Sequence, residues 1–177
     1  MKLLKKILLV ILIIIAIPLI VALFVDNEYS VQREVVINAP EQEVFDYLRH
    51  LKNQDNYSVW VRTDPNMKKD FRGTDGTVGF VYAWDGNDDA GKGEQEIKNI
   101  VEGERVDVEV RFERPMAGIA QAPITTEAVG ENQTKVTWGM KGKSAYPMNF
   151  VNIFIDGMLG KDIETSLTML KGILEKQ

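Results

Sequence analysis

The chain has 177 residues, 45% hydrophobic and 27% charged, with a formal net charge of −5, no cysteine and one histidine. That length suffices for one domain with a real core, which buries roughly 70% of the surface its unfolded form exposes. Without cysteine there is no disulfide scaffold, zinc knuckle, iron–sulfur centre or thiol nucleophile, and the single His50 excludes multi-histidine metal sites.

Ile7 to Val25 is an uncharged run of nineteen residues, rich in Ile and Leu. As a helix rising about 1.5 Å per residue it spans roughly 28 Å, close to the ~30 Å hydrocarbon core of a bilayer. Pro18 within it is tolerable in a membrane helix. Lys2, Lys5 and Lys6 precede the run while Asp26 and Glu28 follow it, an asymmetry that predicts a cytoplasmic amino terminus and an extracytoplasmic remainder. A cleaved signal peptide is the alternative, with secretion as its consequence. Its cleavage site needs small residues, whereas the run ends in the bulky Val21-Ala22-Leu23-Phe24-Val25. The preferred reading is a single-pass anchor over residues 1–28, followed by a binding domain over 29–177. Without the three leading lysines, 18 basic residues face 26 acidic ones, a balance of −8. Nucleic acid is therefore not an expected partner, since phosphate binding needs a basic footprint.

The domain opens with an alternating β-rich segment, Tyr29 to Asn38. Pro40-Glu41 then starts a helix on which Val44, Phe45, Leu48 and Leu51 recur at helical spacing. Lys52 to Trp60 reads as a short helix or loop, and Met67 to Arg72 as an edge strand. Thr77 to Trp84 alternates, with Val78, Phe80, Tyr82 and Trp84 on one face. A strand from Gly91 to Ile100 follows, then one with Val106, Val108, Val110 and Phe112 facing inward. Two more are expected at Ala120–Val129 and Thr134–Lys141, the latter with Val136, Trp138 and Met140 on one face. Val151, Ile155, Leu159, Ile163, Leu167, Leu170 and Leu174 mark a long amphipathic helix from about Asn149 to Lys176. Gly157 and Gly160 suggest a bend in it or a close approach to the sheet. Consecutive strands with segregated helices predict an α+β fold: a curved antiparallel sheet wrapped around the carboxy-terminal helix in a helix-grip arrangement, with room for a cavity.

The phrase Val35-Val36-Ile37-Asn38-Ala39-Pro40-Glu41-Gln42-Glu43-Val44-Phe45 resembles the first strand and helix of the START/polyketide-cyclase (SRPBCC) superfamily. Leu51-Lys52-Asn53 through Trp60 is similar to its following loop, with Gln54 and Tyr57 where tryptophan is common. Gly79 to Trp84, Gly86-Asn87, Gly91 and Gly93 resemble its central hairpin, and Thr134 to Trp138 with Tyr146-Pro147-Met148 extend the likeness over residues 30–175. The resemblance implies a helix-grip fold and a hydrophobic small-molecule ligand. Its members range over lipid carriers, cyclases, hormone receptors and co-chaperone-type modules, so it does not fix the function.

The residues expected to line such a cavity are Phe80, Tyr82 and Trp84 on one strand, Val108 and Val110 on the next wet-faced strand, and Trp138 and Met140 further on. Met148, Ile155 and Met158 are their counterparts before and on the last helix. Methionine adapts to irregular apolar guests, while Trp and Tyr add a polar tip. Burying ~300 Å² of guest at ~25 cal/mol/Å² grosses about 7 kcal/mol, which association costs reduce towards micromolar affinity. The preferred function is non-enzymatic binding of a hydrophobic or amphipathic, lipid-like or polyketide-like molecule, with the last helix as lid and the anchor holding the mouth near lipid. No cofactor is called for. A cyclase/dehydratase-type enzyme is the alternative, and needs a buried ionisable group among Glu94, Tyr82 or Tyr146. No catalytic residue is assigned: His50 sits at a helix end, and no G-x-S-x-G phrase occurs. A protein-binding module is a third reading, and needs an exposed apolar patch. Asp85-Gly86-Asn87-Asp88-Asp89 lacks the EF-hand spacing and reads as a turn rather than a metal site. Ligand identity and oligomeric state are not legible.

Overall fold

The computed structural model describes residues 2–176. Helix α1 (Lys2–Ala22) is long and apolar enough to cross a membrane, and it stays unburied until Ala22. Strand β1 (Glu28–Ile37) leads into α2 (Glu41–Arg49), where Pro40 takes the cap position with φ −60° and ψ 144°. Proline needs no N–H partner there, and Glu41 and Glu43 lie in the first turn, favoured by the helix dipole. Val44, Phe45 and Leu48 are the buried face. A 3-10 turn at Leu51–Asn53 and two one-turn helices, α3 (Gln54–Tyr57) and α4 (Val59–Arg62), complete this side.

Seven strands follow: β2 (Lys68–Arg72), β3 (Val81–Asp85), β4 (Lys92–Val101), β5 (Arg105–Arg114), β6 (Gly118–Gln121), β7 (Ile124–Gly130) and β8 (Gln133–Lys143). Neighbours pair antiparallel in the order β1-β8-β6-β5-β4-β3-β2, with β7 between β5 and β8 beyond the end of β6. A 3-10 turn (Met148–Val151) leads into α5 (Asn152–Leu174), which packs along β1 on the concave face. Inward-facing Val31, Val106, Val136 and Ile97 meet Ile163, Leu167, Leu170 and Leu174 of α5 in one core cluster.

Three sequence-based boundaries are corrected. The single strand expected over 120–129 is a bent line of two, β6 and β7, broken at Ala122-Pro123. Pro123 has no N–H for the ladder, though the Ala122 N–H still reaches the Val108 carbonyl at 2.7 Å. The strand expected from Thr77 begins only at Val81, because Gly76 and Gly79 take positive φ values of 78° and 87° and turn the chain, leaving Val78 60% exposed. The last helix starts at Asn152 rather than Asn149, after the 3-10 turn. Gly160 is indeed a close approach. A Cβ there would collide with the Arg33 guanidinium, which reaches from β1 to hold Asp156 through two bonds of 3.0 Å.

On the convex face Arg111 bridges Glu94 (2.9 Å), Glu96 (2.8 Å) and Glu109 (2.6 Å), and Arg72 also pairs with Glu94. Hydrogen bonds from Arg72 hold the Glu94 carboxyl below its ordinary value, and those from Arg111 do the same for Glu96 and Glu109. A carboxylate with a depressed folded-state pKa stabilises above its unfolded value and loses that contribution as pH falls through the folded one. Thermal melts are therefore expected to show falling Tm as pH drops below about 4.5. Arg111→Met is expected to flatten that slope while lowering Tm at neutral pH. An unchanged slope would show that the cluster does not couple to folding.

Candidate functional site

The sheet's curvature holds α3, α4 and the first half of α5 off part of the concave face, leaving a cavity of about 290 Å³. Its back wall is Val108 and Val110 of β5, Ala122 and Ile124 at the bend, and Trp138 and Met140 of β8. Tyr82 and Trp84 of β3 close one side, and Trp60 with Leu159 of α5 the other. The lining residues Thr63, Asp89, Arg114 and Pro115 are exposed, so the mouth opens there.

The tryptophans bordering this space are braced from outside. Trp60 donates its indole N–H to Asp162 of α5 at 3.2 Å and meets Trp138 edge-to-face at 5.5 Å between centroids. Trp84 donates to the Ala90 carbonyl at 3.1 Å. Its ring lies over Gly93, where a Cβ would come within 2.8 Å of it. Glycine is required there by space, not by dihedral. With those N–H groups committed elsewhere, Trp60 and Trp84 present carbon surface to the cavity. Ser166 of α5 accepts the Val59 N–H at 3.0 Å and so fixes the start of α4.

Polar groups in the interior are few and uncharged. Gln95 donates to Gln54 at 2.9 Å, and both side chains are buried on the lining. That bond uses one donor and one acceptor, leaving the amide of Gln54 and the carbonyl oxygen of Gln95 with hydrogen-bonding capacity. Among the described residues, none pairs with the buried N–H of Trp138. The charged lining residues Asp89 and Arg114 lie at the mouth, with Arg114 bound to Asp85 at 2.7 Å.

Of the ten residues named from sequence, Tyr82, Trp84, Val108, Val110, Trp138 and Met140 border the cavity. Four do not, and are corrected. Phe80 is fully buried but precedes β3 and stacks with Phe71 at 6.3 Å. Met148 is 40% exposed on the 3-10 turn, and Ile155 packs half-buried against the core. Met158 is 64% exposed, one step around the helix from Leu159, which does face the cavity. Sequence reasoning missed Gln54, Trp60, Gln95, Ala122 and Leu159 as lining residues. Two of them carry a local signal: Gln95 is a polar residue on an inward face between buried positions, and Leu159 belongs to the apolar row of the last helix.

The acid–base candidates separate clearly. Glu94 lies on the convex face in its ion pairs, and Tyr146 is 52% exposed. Tyr82 is 1% exposed and donates to Asp55 at 2.6 Å; Asp55 also pairs with Lys69 at 2.8 Å. Burial first, then that hydrogen bond, pushes the Tyr82 phenol above its ordinary value. It remains a neutral phenol whose proton is already committed. His50 lies outside the cavity, 3.7 Å from Asp75. In the 85–89 turn, Asn87 Oδ1 accepts the N–H groups of Asp89 (3.0 Å) and Ala90 (2.9 Å), which is turn chemistry. Among the described residues, no group of three or more His, Asp or Glu is placed to hold a metal.

No family model matches the sequence, and no curated protein matches it. Solved structures do match. Norcoclaurine synthase from Thalictrum flavum, solved with dopamine and hydroxybenzaldehyde, aligns with a TM-score of 0.66 at 9% identity over 85% of this chain and 88% of its own. Ara h 8.0201 aligns at 0.58 and 11% identity over 85% and 99%. Aha1 from Colwellia psychrerythraea, solved as a dimer, aligns at 0.55 and 18% identity over 83% and 96%. At these identities the likeness is one of fold: a Bet v1-like helix-grip arrangement.

Proposed function

We propose, from this helix-grip fold and its hollow, that residues 29–177 form a non-enzymatic binding domain for a small, uncharged, amphipathic molecule, held at a membrane by residues 1–28. The observation that carries the reading is the cavity of about 290 Å³, walled by aromatic and aliphatic side chains. That volume lies at the lower end of the roughly 300–1,000 Å³ usual for small-molecule pockets, which suits a guest of one or two rings or a short acyl chain. The Gln54–Gln95 pair and the unpartnered Trp138 N–H favour a guest with both hydrogen-bond donor and acceptor. A charged guest is disfavoured, because the interior offers no counter-charge. An exported or anchored state rests on α1, which a cleaved signal helix would also resemble.

The enzymatic alternative retains one observation, Tyr82 on the lining. Its raised pKa and its bond to Asp55 argue against proton transfer near neutral pH.

Native mass spectrometry of the full chain released from detergent tests the binding reading, together with titration by the neutral fluorophore phenylnaphthylamine. Expected are a retained small guest, or saturable probe binding that apolar competitors displace. A chain that is empty throughout and does not bind the probe would sink it. Turnover of a bound molecule would replace it with the enzymatic one.

A further inference from the structure

The cavity mouth and the exit of the apolar helix lie at the same end of the sheet. Asp85, Lys92 and Arg114 are register partners across β3, β4 and β5, and Lys143 pairs with Glu28 at the matching end of β8 and β1. The lining residues Asp89, Ala90, Arg114 and Pro115 flank the first row. Glu28 in the second row is six residues beyond the end of α1.

The intervening segment is not a free linker. Asn149, 2% exposed, donates from Nδ2 to the carbonyls of Ala22 (2.8 Å) and Val25 (2.7 Å). Asn152 donates to the Asp26 carbonyl at 2.8 Å, and the Ser144 N–H donates to the Asn27 carbonyl at 2.8 Å. Carbonyls at a helix C-terminus have no intrahelical partner, and Asn149 satisfies that of Ala22, the last residue of α1, while the other three bonds fasten the backbone just beyond it, one of them through the Ser144 backbone N–H. Four bonds thus form a joint that fixes the direction in which α1 leaves.

Around this joint large apolar side chains are exposed, interspersed with the exposed charged groups Asp26, Glu28, Lys143 and Asp156. Phe24 is 85% exposed, Phe154 58%, Met158 64%, Met116 54% and Tyr146 52%. Phe154 and Met158 are one helical turn apart on α5, whose later turns are buried in the core. Large exposed apolar groups clustered at one end mark an interaction surface. Its continuity with a 21-residue apolar helix locked to it points to a lipid surface as the occupant. Aromatic and methionine side chains suit the headgroup–acyl boundary, and neighbouring Lys143 can extend towards headgroups.

We infer that this end of the domain is seated in the bilayer interface: the Asn149–Asn152 joint holds the cavity mouth against lipid, and the guest enters from the membrane rather than from water. This rests on reading α1 as membrane-spanning, and the test separates the two. Because the chain has no cysteine, single cysteines label cleanly with an environment-sensitive nitrobenzoxadiazole dye. The full chain is reconstituted into vesicles of phosphatidylethanolamine and phosphatidylglycerol carrying nitroxide-labelled lipid. Ile11→Cys reports insertion of α1, Phe154→Cys and Met158→Cys report the proposed surface, and Glu104→Cys reports the opposite end.

Expected are blue-shifted emission and loss of most fluorescence to the nitroxide at 11, 154 and 158, with none at 104. Asn149→Ala is expected to reduce quenching at 158 and leave that at 11 unchanged. Quenching at 11 but not at 154 and 158 would overturn the inference and leave the anchor standing. Emission that is blue-shifted but unquenched at 154 and 158 would also overturn it, assigning the surface to a protein partner. Absence of quenching at every position would overturn both.

Discussion

Phenylalanine in place of Ala122 is expected to abolish guest binding while leaving the fold intact. Ala122 is 4% exposed and lines the cavity at the bend between β6 and β7. In a close-packed core such an enlargement costs about 1–3 kcal/mol through displaced neighbours. Here the added ring has empty space to enter, so Tm measured on the full chain in detergent is expected to change by only a few degrees. The ring takes the volume the guest requires, and probe affinity is expected to fall at least about tenfold, equivalent to ~1.4 kcal/mol. The Ala122 N–H that reaches Val108 is retained, so the ladder is not the variable under test. Undiminished binding with an unchanged Tm would place the probe elsewhere, and the exposed first turns of α5 would be its obvious seat.

Leu167→Ala is expected to be the most destabilising of these substitutions. Leu167 is 1% exposed on α5 within the core cluster that joins β1, β8 and α2. Truncating a buried leucine costs roughly 2–5 kcal/mol, the transfer term plus the cavity left behind. For a chain of this size that lowers Tm by on the order of 10 °C. Phe154→Ala, about three and a half turns earlier on the same helix, removes a larger side chain that is 58% exposed. Its effect on stability in detergent is expected to be within about 0.5 kcal/mol, a Tm change of about 2 °C or less. Comparable losses at both positions would mean that the amino-terminal half of α5 is packed as its carboxy-terminal half is. The contrast matters for function, because a helix rooted at Leu167, Leu170 and Leu174 can expose its first turns to another medium without unfolding.

How far the site was legible depends on the kind of signal each residue gave. Period-two alternation identified the inward sides of β3, β5 and β8, including Tyr82, Val110 and Trp138, because strand side chains point alternately to opposite faces. The same reasoning included Phe80, where Gly79 turns the chain before the ladder begins. On α5 the step-of-four row contains Leu159, whereas Met158 suits a cavity wall by its chemistry alone; one residue is about 100° around a helix, enough to move a side chain from the cavity to solvent. The Gln54–Gln95 pair joins residues 41 apart on different elements, and the Asn149 bond to Ala22 spans 127. No local period encodes such meetings.

By itself, then, the sequence determined an apolar helix of membrane-spanning length, the order of strands and helices, the α+β class and which faces turn inward. These follow from composition and from periodicities contained within a single segment. Only the tertiary structure decided where the inward faces fail to touch, which amides meet in that space, and which end of the sheet carries both the mouth and the apolar helix. Burial patterns state that a side chain leaves water, but whether it then meets another side chain or a void depends on how far a curved sheet holds its covering helices away.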